Sequence, residues 1–231
     1  MMPRWLRDSH STPDPAWADA DGLVALGGRI EPEQILRSYR AGVFPWASQP
    51  VPSWWSPDPR AVFDPATCRS HRSTRQSARR GAWRFTCDQA FAAVMAACAA
   101  PVPGREGTWI TADFLRAYQE LHRRGLAHSI EVHQGDALVG GLYGVALGGY
   151  FSGESMFSRV PDAAKAALGH LLARLRHGGF LLLDGQVPTP HLCSLGAVAI
   201  PRERYLQRLA EALRAPAVFP SGALPPAIAP L

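Results

Sequence analysis

Three apolar runs and the two turns between them limit what this chain can fold into. Residues 128–133, 137–147 and 150–157 are separated by Gln134-Gly135-Asp136 and by Gly148-Gly149. A two-residue glycine connection suits a tight hairpin, so the spacing predicts a three-stranded antiparallel meander. Helical patterns flank it. Residues 111–124 carry Phe114, Leu115, Tyr118 and Leu121 on one stripe and stop at Gly125; residues 162–177 carry Leu168, Leu171, Leu172 and Leu175 and stop at Gly178-Gly179. A helix over 88–99, a buried strand over 180–184, a short strand over 197–200 and a helix from Pro201 to about Arg214 complete an α+β order.

The first 60 residues read differently. They are rich in Pro, Trp and Asp, and hold one short helix, 33–41, opened by Pro32 and closed by Gly42. Repeated prolines over 43–48 and 54–60 predict ordered aromatic loops rather than strands. A boundary near Pro59–Ala61 divides the 231 residues into a small N-terminal domain (1–60) and a larger one (61–231). The tail from Pro216, with Pro220, Pro225, Pro226 and Pro230, is expected to run extended or mobile. A composition 47% apolar and 19% charged excludes a disordered chain. No run approaches the roughly 18 apolar residues of a membrane span, and the start lacks the apolar core of a signal peptide. A cytoplasmic protein is expected. Cys68, Cys87, Cys98 and Cys193 show neither Cys-x-x-Cys nor zinc-finger spacing, so reduced structural thiols and no metal are expected.

The charge is localised. Of 24 basic residues one alone, Lys165, is lysine, and the net charge is +5. Between Pro65 and Cys87 no acid occurs, while Arg69, Arg72, Arg75, Arg79, Arg80 and Arg84 do. One basic patch on an otherwise balanced chain suits either phosphate-backbone contact or a solvated surface.

Polar residues in apolar strands mark candidate chemistry. Ser152, Glu154 and Met156 share one face of an ideal strand, and a carboxylate there must be paired or functional. Pairing with Arg159 is the plain alternative. Asp184 and Gln186 end another apolar strand two residues apart, so Asp184 can accept from the Gln186 amide; both equally suit capping of loop groups. Lys165 in the first turn of its helix opposes the helix dipole, unless it pairs with Asp162. Trp46, Trp54, Trp55 and Trp109 lie outside periodic elements, where aromatics line ligand pockets or pack domains together. Ser155, Asp184 and His191 follow hydrolase-triad order, but 153–157 lacks the second glycine of a nucleophile elbow. A CoA-dependent acetyltransferase would need a glycine-rich helix entry, and 158–164 has Pro161 and no glycine.

Taken together the motifs resemble the leucyl/phenylalanyl-tRNA–protein transferases. The matching segments are Gly22-Leu23-Val24-Ala25-Leu26-Gly27-Gly28, Tyr39-Arg40-Ala41-Gly42-Val43-Phe44-Pro45-Trp46, Trp54-Trp55-Ser56-Pro57-Asp58-Pro59-Arg60, Gly107-Thr108-Trp109-Ile110-Thr111, His128-Ser129-Ile130-Glu131-Val132, Leu138-Val139-Gly140-Gly141-Leu142-Tyr143-Gly144, Gly153-Glu154-Ser155-Met156-Phe157-Ser158-Arg159 and Ser194-Leu195-Gly196-Ala197. The resemblance implies an acetyltransferase-like (GNAT-like) C-terminal domain. It implies transfer of Leu or Phe, with Met as an extension of the same apolar class, from aminoacyl-tRNA to the α-amine of proteins beginning with Arg or Lys, marking them for degradation. It implies a monomer with no cofactor, no metal and no membrane partner. Carried over by position, the aminoacyl end meets Tyr39, Trp46, Trp109, Tyr118, Phe151, Gly153 and Glu154, and its side chain meets Leu142 and Leu171. Asp184, Gln186 and Glu154 are the implied catalytic set; with tRNA as the donor, the six arginines of the basic patch are expected to hold the acceptor stem by its phosphates. The family commonly reads Asp-Cys-Gln where this chain has Asp184-Gly185-Gln186, with residue 185 expected to face away from the pair.

Overall fold

The computed structural model describes residues 4–8, 11–47, 51–101, 107–222 and 224. In chain order the elements are β1 (Arg4–Leu6), β2 (Leu23–Gly27), α1 (Pro32–Arg40), β3 (Phe44–Ala47), β4 (Pro52–Trp55), β5 (Arg60–Phe63), α2 (Arg72–Arg80), β6 (Arg84–Cys87), α3 (Phe91–Ala99), α4 (Ala112–Arg123), β7 (Ala127–Gln134), β8 (Ala137–Leu147), β9 (Tyr150–Ser158), α5 (Ala163–His177), β10 (Leu182–Gln186), α6 (Pro190–Ser194), β11 (Val198–Ile200) and α7 (Arg202–Arg214).

Two mixed sheets organise these elements. The larger has the order β11-β5-β10-β9-β8-β7-β6, and the smaller β1-β2-β4-β3. The expected meander is β7-β8-β9, antiparallel throughout. β10 returns parallel to β9 after α5, while β5 pairs antiparallel with β10. Helices cover both faces. One face packs against α1, α3, α4 and α7 through Tyr39, Phe91, Phe114, Tyr118, Tyr205 and Leu209; the other packs against α5 through Leu168, Leu171, Leu172 and Leu175. Leu6, Val24 and Trp54 form a separate small core in the N-terminal sheet.

Two expectations change in part here. Parts of the proline-rich stretches are strand: Pro45 lies on β3, an edge strand, and β4, opened by Pro52, takes in Trp54 and Trp55, while 56–59 stay irregular as expected. Residues 60 and 61, at the expected boundary, are fully buried in β5. The tail does not stand clear over 216–222. Phe219 stacks on His128 at 3.9 Å and on Phe151 at 5.6 Å, Val218 donates to the Gly178 carbonyl, and Arg174 donates to the carbonyls of Pro220 and Gly222. Pro225, Pro226 and Pro230 lie outside the described residues. No helix among the described residues is long and apolar enough to cross a membrane.

Candidate active site

The site forms where β9 and β10 part. Their parallel pairing runs through Leu182↔Tyr150 and Leu183↔Phe151 to Asp184↔Ser152. Beyond that pair, Gly153, Glu154 and Ser155 on one strand and Gly185 and Gln186 on the other line a cavity of about 190 Å³. Most of its remaining wall is apolar: Leu142 and Met156 from the meander, Leu168 and Leu171 from α5, Phe63, Leu183 and Leu192, with Tyr143, Asp184 and His191 as the polar exceptions. A second cavity of about 140 Å³ is lined by Pro45, Trp46, Trp109, Val187 and Thr189, and shares Glu154, Gly185, Gln186 and Leu192 with the first. The two meet at those four residues.

A bulge aims Glu154. Gly144 pairs with Gly153, yet the next residue back on β8, Tyr143, pairs with Ser155, so Glu154 is an extra residue on β9. A bulge of this kind re-aims side chains and reverses the alternation beyond it. Ser152 and Glu154 therefore share a face, as expected, but Met156 does not join them. It pairs with Leu142 and packs on the α5 face.

Glu154 is fully engaged. Tyr118 donates to its Oε2 at 2.9 Å and Ser152 to its Oε1 at 2.7 Å. Tyr39, from α1, lies 2.5 Å from the Tyr118 hydroxyl. Burial pushes the Glu154 carboxyl up to about 7, against the pull of its hydroxyl donors. Arg159 is not its partner; that guanidinium donates to the Leu138 carbonyl and lies over Phe157.

Asp184 departs from expectation. It is fully buried and does not accept from the Gln186 side-chain amide. It accepts instead from the Gln186 backbone N–H at 2.8 Å, Tyr150 at 2.8 Å and Tyr205 at 2.9 Å. Arg60 grips both oxygens, Nε on Oδ1 at 2.9 Å and Nη2 on Oδ2 at 2.7 Å, with neither side chain exposed. Burial alone would raise this carboxyl, but the Arg60 guanidinium holds it below the usual range. Its charge is thus cancelled inside the protein. Among the described residues the Gln186 amide reaches only Ser152 Oγ, at 3.5 Å, and it lines both cavities.

The remaining expected residues divide. Leu142, Leu171 and Gly153 line the inner cavity, and Trp46 and Trp109 the outer one. Tyr39 and Tyr118 stand behind Glu154, wholly buried. Phe151 lines neither cavity; it is buried against Phe180 and Phe219. Gly185 lines both cavities with its backbone, and a Cβ there would point to Phe63 and Leu192, away from the Tyr150 and Tyr205 hydroxyls that hold Asp184. Trp54 is core, donating to the Gly27 carbonyl at 2.8 Å, and Trp55 packs edge-on to Trp46. Lys165 pairs with Asp162 at 2.8 Å. Arg69, Arg72, Arg79, Arg80 and Arg84 are exposed on and around α2, Arg75 is half-buried, and none of the six forms a salt bridge among the described residues. His71, just before α2, bonds the Ser194 carbonyl of α6, so the basic helix is tethered beside the element that carries Leu192.

Two family models match the sequence: leucyl/phenylalanyl-tRNA protein transferase over residues 62–210, and the N-terminal domain of the same family over residues 28–58. The chain belongs to the leucyl/phenylalanyl-tRNA–protein transferase family. Its relatives in this aminoacyltransferase family share half its sequence. The transferase of Anaeromyxobacter dehalogenans is 52% identical over 207 residues, 88% of each chain. That of Ectopseudomonas mendocina is 50% identical over 214 residues, 90% of this chain and 95% of its own. That of Shewanella denitrificans is 51% identical over 197 residues, 85% of this chain and 84% of its own. Among solved structures, L-PGS from Bacillus licheniformis aligns at a TM-score of 0.42 and 16% identity, over 68% of this chain and 52% of that one, a likeness too slight to carry an argument.

Proposed function

We propose that this protein transfers Leu or Phe from aminoacyl-tRNA to the α-amine of proteins that begin with Arg or Lys, in the cytoplasm, and so marks them for degradation. One observation supports this best: an apolar cavity and an aromatic cavity meet at a carboxylate and an amide. A dry cavity of roughly 150 Å³ holds a benzene ring, so the inner chamber, at about 190 Å³, suits a Leu or Phe side chain. The outer one offers Trp46 and Trp109 to the terminal adenosine. The exposed arginines of α2 would take the acceptor stem by its phosphates, without reading sequence. In this reading residues 1–60 form the smaller domain, supplying Tyr39 and Trp46, and the remainder is the acetyltransferase-like catalytic domain of a monomer.

The ester is already activated, so orientation and a proton path suffice. The incoming α-amine has a pKa near about 8 and is partly neutral at physiological pH. Gln186 orients it toward the ester carbonyl. As the C–N bond forms, Glu154 takes a proton from nitrogen and returns it to the departing ribose oxygen, a role suited to a carboxyl near 7. Asp184 cannot take that proton: five donors hold it and its charge is matched by Arg60. Glu154 is therefore the anion that faces a basic acceptor.

The test is an acceptor assay with labelled Leu-tRNA or Phe-tRNA, once with a protein starting with Arg and once with one starting with Glu. Label on the Arg protein alone is the expected result. Bound tRNA with no transfer to either would overturn the reading in favour of an RNA-binding module.

A further inference from the structure

We propose that Arg60 is a positioning residue for this reaction, locking Gln186 to the strand that carries Trp46. The inference rests on the transferase reading above. Gln186 has φ +66, a left-handed conformation that side-chain-bearing residues adopt only when held. What holds it is its own N–H bond to Asp184 Oδ1. Asp184 is fixed in turn by the Arg60 fork on both oxygens. The third corner of the guanidinium donates to the Gly42 carbonyl at 3.3 Å, and its plane lies 4.7 Å from the Phe44 ring and 4.4 Å from the Tyr205 ring. Gly42 and Phe44 lead directly into Trp46 on β3. One planar group thus ties the amide that faces the amine to the ring that faces the donor, and both line the outer cavity. Lysine cannot do this: an ammonium is a point charge and offers no fork spanning two carboxylate oxygens and a carbonyl.

The experiment compares Arg60→Lys with the unaltered protein by single-turnover transfer at saturating Leu-tRNA, by tRNA binding on filters and by thermal melting. Misplacing a reacting group by about an ångström costs up to roughly a hundredfold. We expect the single-turnover rate per folded molecule to fall by about tenfold to a hundredfold, with tRNA affinity within about threefold. A lower melting temperature with an unchanged rate per folded molecule would reduce Arg60 to a purely structural role. Should Arg60→Lys fail to fold, the paired variant Arg60→Met with Asp184→Leu replaces the buried ion pair by apolar volume, an exchange that proteins tolerate. Transfer at the original rate by that folded pair would equally overturn the proposal. The unaltered protein in the same assay separates the two failures, because its own inactivity would refute the transferase reading instead.

Discussion

Glu154 concentrates the conflict between folding and chemistry in one side chain. Its carboxyl is raised to about 7 by burial, so ionising it costs the folded state what the unfolded chain does not lose. The sign follows: this contribution to stability is present at low pH and is lost as pH rises from the unfolded value near about 4 through 7. Glu154→Gln should therefore melt at a higher temperature than the unaltered protein at pH 8, and the two should converge at pH 4. Beyond the later rise set by the α-amine, at about 8, the same change should abolish the rise of the single-turnover rate centred on about 7. A pH–rate profile that keeps this rise in Glu154→Gln would assign the proton to another group. Glu154 was legible in the sequence because an acid in an apolar strand demands a reason. Arg60 was not. It stands at the end of a proline-rich stretch and its partner lies 124 residues away, so no local pattern joins them. The notion that Asp184 polarises the Gln186 amide failed for the same cause: the stronger donor was invisible at short range.

At the scale of elements, periodicity served wherever burial enforces it. The meander and α5 follow their apolar patterns closely. The helix α2 escaped because Arg-Ser-Thr-Arg-Gln-Ser-Ala-Arg-Arg has no apolar stripe; Thr74 and Ala78 are its only buried residues. An element so lightly anchored and so basic should be dispensable for folding but not for RNA. Replacing Arg72, Arg79 and Arg80 together with Gln should leave the melting curve in place and lower the slope of log affinity for tRNA against log salt by roughly 2. An unchanged slope would return the patch to ordinary solvated surface. The bulge on β9 makes the opposite case. A Cβ on Gly144 would lie 2.2 Å from the Phe151 ring and from the Ser152 carbonyl oxygen. Gly144→Ala should cost about 1–3 kcal/mol in urea denaturation and slow transfer, since β9 must shift just where Glu154 departs from the strand. Retention of full activity would mean that the bulge tolerates displacement.

For the molecule as a whole, the interior is closed by its far end. Residues 216–222 read as an extended or mobile proline-rich tail, because no periodicity distinguishes a docked strap from a free one. The strap nevertheless seats Phe219 among His128, Phe151 and Phe180 and returns hydrogen bonds to Arg174. Removing everything after Ala215 should lower the unfolding free energy, read from the denaturation midpoint, by an amount typical of an aromatic truncated from a core, about 3–5 kcal/mol. A midpoint unmoved by the truncation would show that the seat refills.

The cluster around Asp184 has a bearing on how the protein is made. Its members are Arg60, Tyr150, Asp184 and Tyr205, and Arg60 meets Tyr205 across 145 residues of chain. A chain emerging from the ribosome can pair the meander early, because those contacts are local in sequence. It cannot settle the guanidinium of Arg60 until α7 has left the exit tunnel. The centre that we propose forms peptide bonds is thus completed only once α7 has been made and has folded back over it, however early the meander pairs.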